Sequence, residues 1–276
     1  GFAYLDIALY HPPIARFLDL REELGVRNFF HPVAKLLNPA RARSQVIGLT
    51  HPAYFEKIAE AVTMLGCRRA LVLRGVEGDP ELSIAALTKL LELSEERVIP
   101  LTLQPKDVGL PLGTFREMAG FPLTQVDQEA ALIRRILRNE VRGGQRDWVI
   151  LNAAMLLYAA GKSLSISAGV PLAQQALESG AAARKLDDLV ASTEPAGAIH
   201  AAEACLDDEV ADRLVGTRGG RVFAHVLADV QVTRGRGIEF AFAPRPKEGE
   251  LGIVVGHHLP NDDRVGVGIA IVTALS

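Results

Sequence analysis

Residues 45–73 read QVIGLTHPAYFEKIAEAVTMLGCRRALVL. Residues 45–49 are a short apolar run of strand type. Residues 52–65 carry apolar side chains spaced for one face of a helix, and Gly66 supplies the stop. Residues 69–73 are a second apolar strand run. Strand, helix and strand within about 30 residues make a βαβ unit, whose two strands run parallel through a right-handed crossover. The fold class this predicts is α/β, a mostly parallel sheet flanked by helices.

Upstream, residues 14–24 (IARFLDLREEL) have the spacing of a short helix, broken by Gly25. Residues 28–44, with Pro32, Asn38 and Pro39, read as an irregular loop. Downstream, residues 74–83 form a Gly/Asp/Pro loop, residues 84–94 read as helix and residues 97–103 as strand, so that 45–49, 69–73 and 97–103 are expected to be sheet neighbours. Residues 126–142 are expected to form an amphipathic helix, with Arg134, Arg135, Arg138 and Arg142 outside and Leu132, Ile133, Ile136 and Leu137 inside. Ala/Leu-rich helices follow over 147–161 and 170–190, with Gly161 and Gly180 as breaks. Near residue 193 the character changes. After a helix over 197–214, the stretches 221–232, 237–242, 251–255 and 265–272 read as strands between turn clusters. The expected organisation is an α/β domain over 1–192 and a small α+β region over 193–276, whose role the residues do not reveal.

At 276 residues the chain is long enough for one large domain or two smaller ones. Aromatics are only 5%, so the core must be built from Ala, Leu, Val and Ile. A net charge of −3 excludes a global basic field for nucleic acid. Cys67 and Cys205 have no metal-ligand spacing and form no disulfide framework, which implies a reduced, cytoplasmic setting. The apolar run 148–160 contains Asn152 and is too short to span a membrane. The start carries Asp6 and lacks the basic region of a signal peptide. Gly1-Phe2-Ala3-Tyr4 reads as the middle of a protein, so a segment upstream is expected.

The densest motif is residues 21–39, REELGVRNFFHPVAKLLNP. It resembles the RxxLGxRTxFNxLGPLxNP stretch of the anthranilate phosphoribosyltransferases, a TrpD-like group of glycosyltransferase family 3, with agreement at Arg21, Leu24, Gly25, Arg27, Phe30, Asn38 and Pro39. The resemblance continues in QVIG (45–48), RALVLRG (69–75), ELS (81–83), RDWVILNAAMLLYAAGK (146–162) and SGAAARKLDDLVA (179–191). It implies a phosphoribosyltransferase/nucleoside-phosphorylase-like fold. The implied activity is phosphoribosyl (pentosyl) transfer to an aromatic amine or acid, as in tryptophan biosynthesis. The implied ligands are phosphoribosyl diphosphate, a small aromatic acid and Mg²⁺, and the implied oligomer forms through an N-terminal region that this chain lacks. By the same resemblance Arg21 contacts the acceptor carboxylate, a role that suits a bidentate guanidinium. His11 lines that pocket, and Arg27 is the motif's second arginine. No side chain is assigned as a catalytic residue, because the chemistry rests on positioning.

The departures are specific. The family's DGxDELS loop holds Mg²⁺ through an Asp–Glu pair; here Glu81 matches the Glu, Pro80 stands at the Asp, and Asp79 is one residue out of register. Glu81 and Asp79 are therefore the metal-ligand candidates, since a hard cation needs oxygen donors and proline has none. Arg74 replaces the family's usual His, and Ala34-Lys35 replaces its Gly-Pro. The Gly-rich phosphate loop of the family lies upstream of Gly1, and the look-alike Gly216-Thr217-Arg218-Gly219-Gly220 reads as a turn. Two readings follow. One is a phosphoribosyltransferase impaired in this chain. The other is a non-catalytic relative that binds nucleic acid or another ligand, a direction in which Pro80, Lys35 and Arg74 all point.

Overall fold

The computed structural model describes residues 2–6, 11–25, 29–38, 42–49, 52–74, 76, 80–94, 97–119, 125–193, 251–258 and 267–274. The expected helix at 197–214 and the strands at 221–232 and 237–242 lie outside these residues, as do Cys205 and the turn 216–220. One compact unit comprises Gly1–Leu189 with Lys247–Ser276, and a second comprises Val190–Pro246.

The decisive unit forms as expected. Strand β2 (Ser44–Gly48) pairs in parallel with β3 (Arg69–Arg74), Gln45 opposite Ala70 and Ile47 opposite Val72. Between them run a 3-10 turn (Pro52–Tyr54) and a helix (Phe55–Met64). Gly66 ends that helix at φ +74°, where a side chain would be strained. Before it, β1 (Phe2–Asp6), α1 (Pro12–Leu24) and α2 (Phe30–Ala34) precede β2, so the helix between β2 and β3 is α3. The short α2 sits inside the stretch expected to be irregular.

Beyond β3 the α/β class holds, but the sheet is mixed rather than mostly parallel. Residues 88–94, expected as part of a helix, are strand β4 (Thr88–Ser94), antiparallel to β3 and to β5 (Arg97–Leu103). The described residues between β3 and β4 contain no helix to carry a crossover, so the chain turns back on itself. The misleading signal has a physical cause. Strand β4 is buried on both faces: Leu90 joins the core on one side, Leu91 and Leu93 the core on the other, and Glu92 is buried as well. Two-sided burial erases the alternation that marks a strand and leaves a leucine run that imitates a helix. Strand β5 is the opposite case, an edge strand exposed almost throughout, where Pro100 breaks no interior ladder. The hairpin of β6 (Leu251–His258) and β7 (Val267–Ala274) completes the order β1-β7-β6-β2-β3-β4-β5, with β6 parallel to β2 and β1 antiparallel to β7.

Helices cover both faces. On one, Val46, Leu71, Leu73 and Leu90 meet Ile150, Leu151, Ala154 and Met155 of α6 (Gly144–Ala159) and Val170, Ala173 and Leu177 of α7 (Ile166–Glu178). On the other, Ile47, Leu49, Ala70, Val72, Leu91 and Leu93 meet Ile58, Ala59 and Val62 of α3. The helices α4 (Phe115–Met118), α5 (Val126–Leu137) and α8 (Ala181–Thr193) complete the described set. Helix α5 is shorter than the expected 126–142. It ends before Arg138, and Asn139 takes a left-handed φ of 59°, where its Oδ1 accepts from Arg142 and from Arg146 Nε. Arg138 and Arg142 therefore lie beyond the helix, and Ile133, expected inside, is 44% exposed. Residues 170–190 are divided between α7 and α8, and Gly180 at φ +70° makes the break.

Helices α6 and α7 touch at Gly169, where an added Cβ would lie 2.7 Å from the carbonyl oxygen of Ala154. Alanine gains about 1 kcal/mol over glycine inside a helix, but forcing backbones apart in a packed interior costs about 1–3 kcal/mol. Gly169→Ala is therefore expected to destabilise the fold by up to about 2 kcal/mol. Urea unfolding checks this; a higher midpoint would show that the two helices are not in close contact.

Candidate functional site

The loop after β3 returns over the carboxy ends of the parallel pair and is fixed there by side chains of α6. Leu82 is fully buried, which obliges its backbone groups to find partners. Asn152 supplies both kinds: its Oδ1 accepts from Leu82 N at 2.9 Å and its Nδ2 donates to Leu82 O at 3.1 Å. Trp148 Nε1 donates to the same carbonyl at 2.9 Å. Trp148 and Asn152 are one helical turn apart, so they present neighbouring side chains to the loop. Ser83 continues the clamp, its Oγ accepting from Ala85 N and Ala86 N while its N–H donates to Thr88 Oγ1. The ELS turn and the RDWVILN stretch, separate in sequence, thus make one structural unit.

The strand ends beneath the loop are crowded and cationic. Gly48 closes β2, and a Cβ there would lie 1.8 Å from Pro80 O, so only glycine admits the loop at this height. Pro80 is buried. Lys35 is 6% exposed and donates through Nζ to the carbonyl of Gly48. Arg74 closes β3; it is half-buried, and its Nε is shielded from solvent with no hydrogen-bond partner among the described residues. Glu81 is half-buried beside them in sequence.

Of the expected acceptor residues, His11 precedes α1 and is 8% exposed. Its Nδ1 accepts from Ile14 N at 3.3 Å, which caps the first turn of the helix. Burial pushes its pKa below the ordinary histidine value, against a smaller upward pull from a backbone hydrogen bond. A neutral imidazole results near pH 7, in keeping with Nδ1 as acceptor. Arg21 lies in the last turns of α1; its side chain is outside the described residues, as are Arg27 and Asp79 entirely. Ten residues of helix advance about 15 Å, so any pocket shared by His11 and Arg21 runs along α1.

The expected magnesium site is not assembled by the described residues. Among them no group of three or more His, Cys, Asp or Glu could hold a metal ion. Glu81 is the loop's only described carboxylate, and Pro80 fills the second ligand position with a buried ring. Asp79, the other candidate ligand, lies outside the described residues. The triad of half-buried Arg69 and Tyr158 with buried Glu92 serves the core instead. Tyr158 Oη donates to Glu92 Oε1 at 2.7 Å, and Arg69 stacks its guanidinium 4.2 Å over the tyrosine ring while facing the same carboxylate at 3.4 Å. Burial, then Glu92, raises the Tyr158 pKa. Sequence reasoning missed this triad because Glu92 was hidden in a segment read as helix. No helix among the described residues is long and apolar enough to cross a membrane.

A family model described as the a/b domain of a glycosyl transferase family matches residues 1–183. An anthranilate phosphoribosyltransferase of Haloarcula marismortui is 36% identical over 190 residues, covering 69% of this chain and 56% of that protein. One of Desulfitobacterium hafniense is 35% identical over 192 residues, covering 70% and 56%. The chain thus spans about half the length of the curated relatives it matches. Among solved structures, anthranilate phosphoribosyltransferase from Thermus thermophilus superposes with a TM-score of 0.59 at 35% identity, over 66% of this chain and 52% of that one. The Saccharomyces cerevisiae enzyme in complex with PRPP and Mg has the same fold, with a TM-score of 0.55 at 20% identity over 63% and 49%.

Two outcomes follow from this geometry. Asn152→Ala leaves the buried Leu82 N–H without its acceptor, which costs about 1–3 kcal/mol; a change in urea unfolding free energy below about 0.5 kcal/mol would show the clamp to be incidental. His11 stabilises the fold above the ordinary histidine pKa, and that contribution is lost as pH falls through its depressed value. His11→Asn keeps a capping acceptor but does not titrate. The melting temperature of the variant should match the parent at pH 7.5 within about 3 °C and fall less between pH 7.5 and 5.5. An equal fall in both proteins would rule His11 out as a source of the acid sensitivity.

Proposed function

The chain belongs to this glycosyl transferase family through its a/b domain, and from that membership we propose that it is part of a phosphoribosyltransferase acting on a small aromatic acid such as anthranilate, with phosphoribosyl diphosphate as the donor. The observation that carries the reading is the clamp of Trp148 and Asn152 on Leu82. It unites two stretches of family sequence into one rigid loop at the carboxy ends of a parallel strand pair, where α/β folds place ligands.

Arg21 is the group we assign to the acceptor carboxylate, with His11 and Arg27 as further substrate-binding residues. A neutral His11 suits an apolar wall against an aromatic ring better than an imidazolium would. The reaction asks the protein to hold an aromatic amine in line with the anomeric carbon as the diphosphate departs, which is a matter of orientation rather than of a nucleophilic side chain. Asp79 and Glu81 are the residues that would offer oxygen ligands to a magnesium ion in this family's loop. With Pro80 between them the described part of the loop does not form such a site, and no step is assigned to a metal. The alternative of a nucleic-acid-binding relative draws no support from the relatives or the solved neighbours.

Titration of anthranilate against the chain, followed by its fluorescence, tests the acceptor assignment. Arg21→Ala should weaken binding by about 1.5–3 kcal/mol, the worth of a hydrogen bond to a charged group; equal affinity in both proteins would refute the role. With phosphoribosyl diphosphate and Mg²⁺ added, no measurable turnover is expected from this chain. Loss of one preorganised electrostatic group typically costs about 10²–10³-fold in rate, and Pro80 removes one. Turnover at a rate typical of enzymes would overturn that consequence of Pro80.

A further inference from the structure

At the β5 edge of the sheet, the connection from α6 to α7 carries Leu164, which is 97% exposed. Both helix ends beside it are closed. Gly161, at φ +69°, ends α6: its N–H donates to the carbonyl of Tyr158, and the N–H of Lys162 donates to that of Leu157. Ser163 Oγ donates to the carbonyl of Ser165, and Ser165 Oγ accepts from Ala168 N to begin α7. Leu164 is thus held out into water by an ordered turn. It also stands on the rim of a groove of about 300 Å³, whose lining includes Leu90, Leu101, Leu103, Val108, Tyr158 and Ile166. Ile99 lies two residues from Leu101, on the same face of β5, and the two are 44% and 36% exposed. The groove has room for a leucine side chain, and its own rim leucine points away from any core.

Charge around the groove is arranged in a matching way. Lys162 stands exposed two residues before Leu164, and Asp107, in the 3-10 turn Pro105–Val108, stands exposed in the lining of the groove. One patch therefore carries a leucine beside a cation and an apolar groove beside an anion. Such a patch is complementary to itself, which is the requirement of a two-fold dimer: residue i of one copy meets j of the other, and j meets i. We propose that this patch is a contact between two copies of the chain, in which Leu164 of each copy enters the groove of the other and Lys162 of one copy meets Asp107 of the other. A leucine already held in place gives up little freedom on docking. The contact is made by side chains rather than by pairing of strand edges, because Pro100, in the middle of β5, has no N–H to offer a second strand. The patch is small, so the dimer is weak and depends on concentration. It uses a different surface from the oligomer that the family resemblance implies, and it does not rest on the phosphoribosyl reading.

Sedimentation equilibrium of the full chain from about 1 to 100 μM tests it. The mass should rise from that of one chain towards that of two. Leu164→Asp sets a charge against the apolar groove and should weaken association by roughly tenfold or more. The melting temperature of dilute protein should not change, because Leu164 is exposed in the single chain. Lys162→Glu should weaken association by about two- to fivefold, the scale of an exposed ion pair. Asp107→Asn keeps the acceptor that Gln104 N uses. It should weaken association of the parent and strengthen that of Lys162→Glu, where it removes a repulsion. A single chain at every concentration would overturn the proposal. A dimer unaffected by Leu164→Asp would overturn it too, since its interface then lies elsewhere. Asp107→Asn acting in the same direction in both backgrounds would overturn the pairing of Lys162 with Asp107.

Discussion

The amide of Asn152 satisfies both backbone groups of Leu82, and the geometry of the candidate site depends on it. A loop that dips into the interior must return every polar backbone group it takes from water, or lose on the order of 1–3 kcal/mol for each. Here one side chain on α6 supplies donor and acceptor together, and Trp148 adds a second donor from the next turn. Helix α6 is in turn locked to the sheet by Ile150, Leu151, Ala154 and Met155. The position of the loop is thereby set by the best-buried part of the core rather than by the loop's own residues, which explains how it can vary at position 80 and still be held in place.

The side chain of Pro80 has no ligand atom, and its carbonyl sits against Gly48 in a space that admits no side chain. Around it the ends of the strands carry Arg74, Lys89 and the buried Lys35. Elsewhere, the first turn of α1 is held by the neutral ring of His11.

The sequence made the βαβ unit legible because its strands and helix differ in period and because Gly66 stops the helix. It made the family legible through residues 21–39 and the runs that follow. Strand β4 was hidden by its own burial on both faces, and with it Glu92 and the triad around Tyr158. The end of α5 was hidden because the arginines beyond Leu137 continue a helical pattern, whereas Asn139 adopts a left-handed turn to receive Arg142 and Arg146. The clamp on Leu82 joins residues 70 positions apart, a distance over which local pattern says nothing. Departures from the family, at Lys35, Arg74 and Pro80, were visible as letters, but only the fold shows that they gather at one end of the sheet.

The central claim we propose is that this domain takes an aromatic acid through Arg21 of α1, beside a loop that Asn152 holds in place. A crystal structure of the chain grown with anthranilate and pyrophosphate in the presence of Mg²⁺ tests it most directly. The account predicts the anthranilate carboxylate on Arg21 and both hydrogen bonds of Asn152 to Leu82 intact. Anthranilate bound away from Arg21 would contradict it.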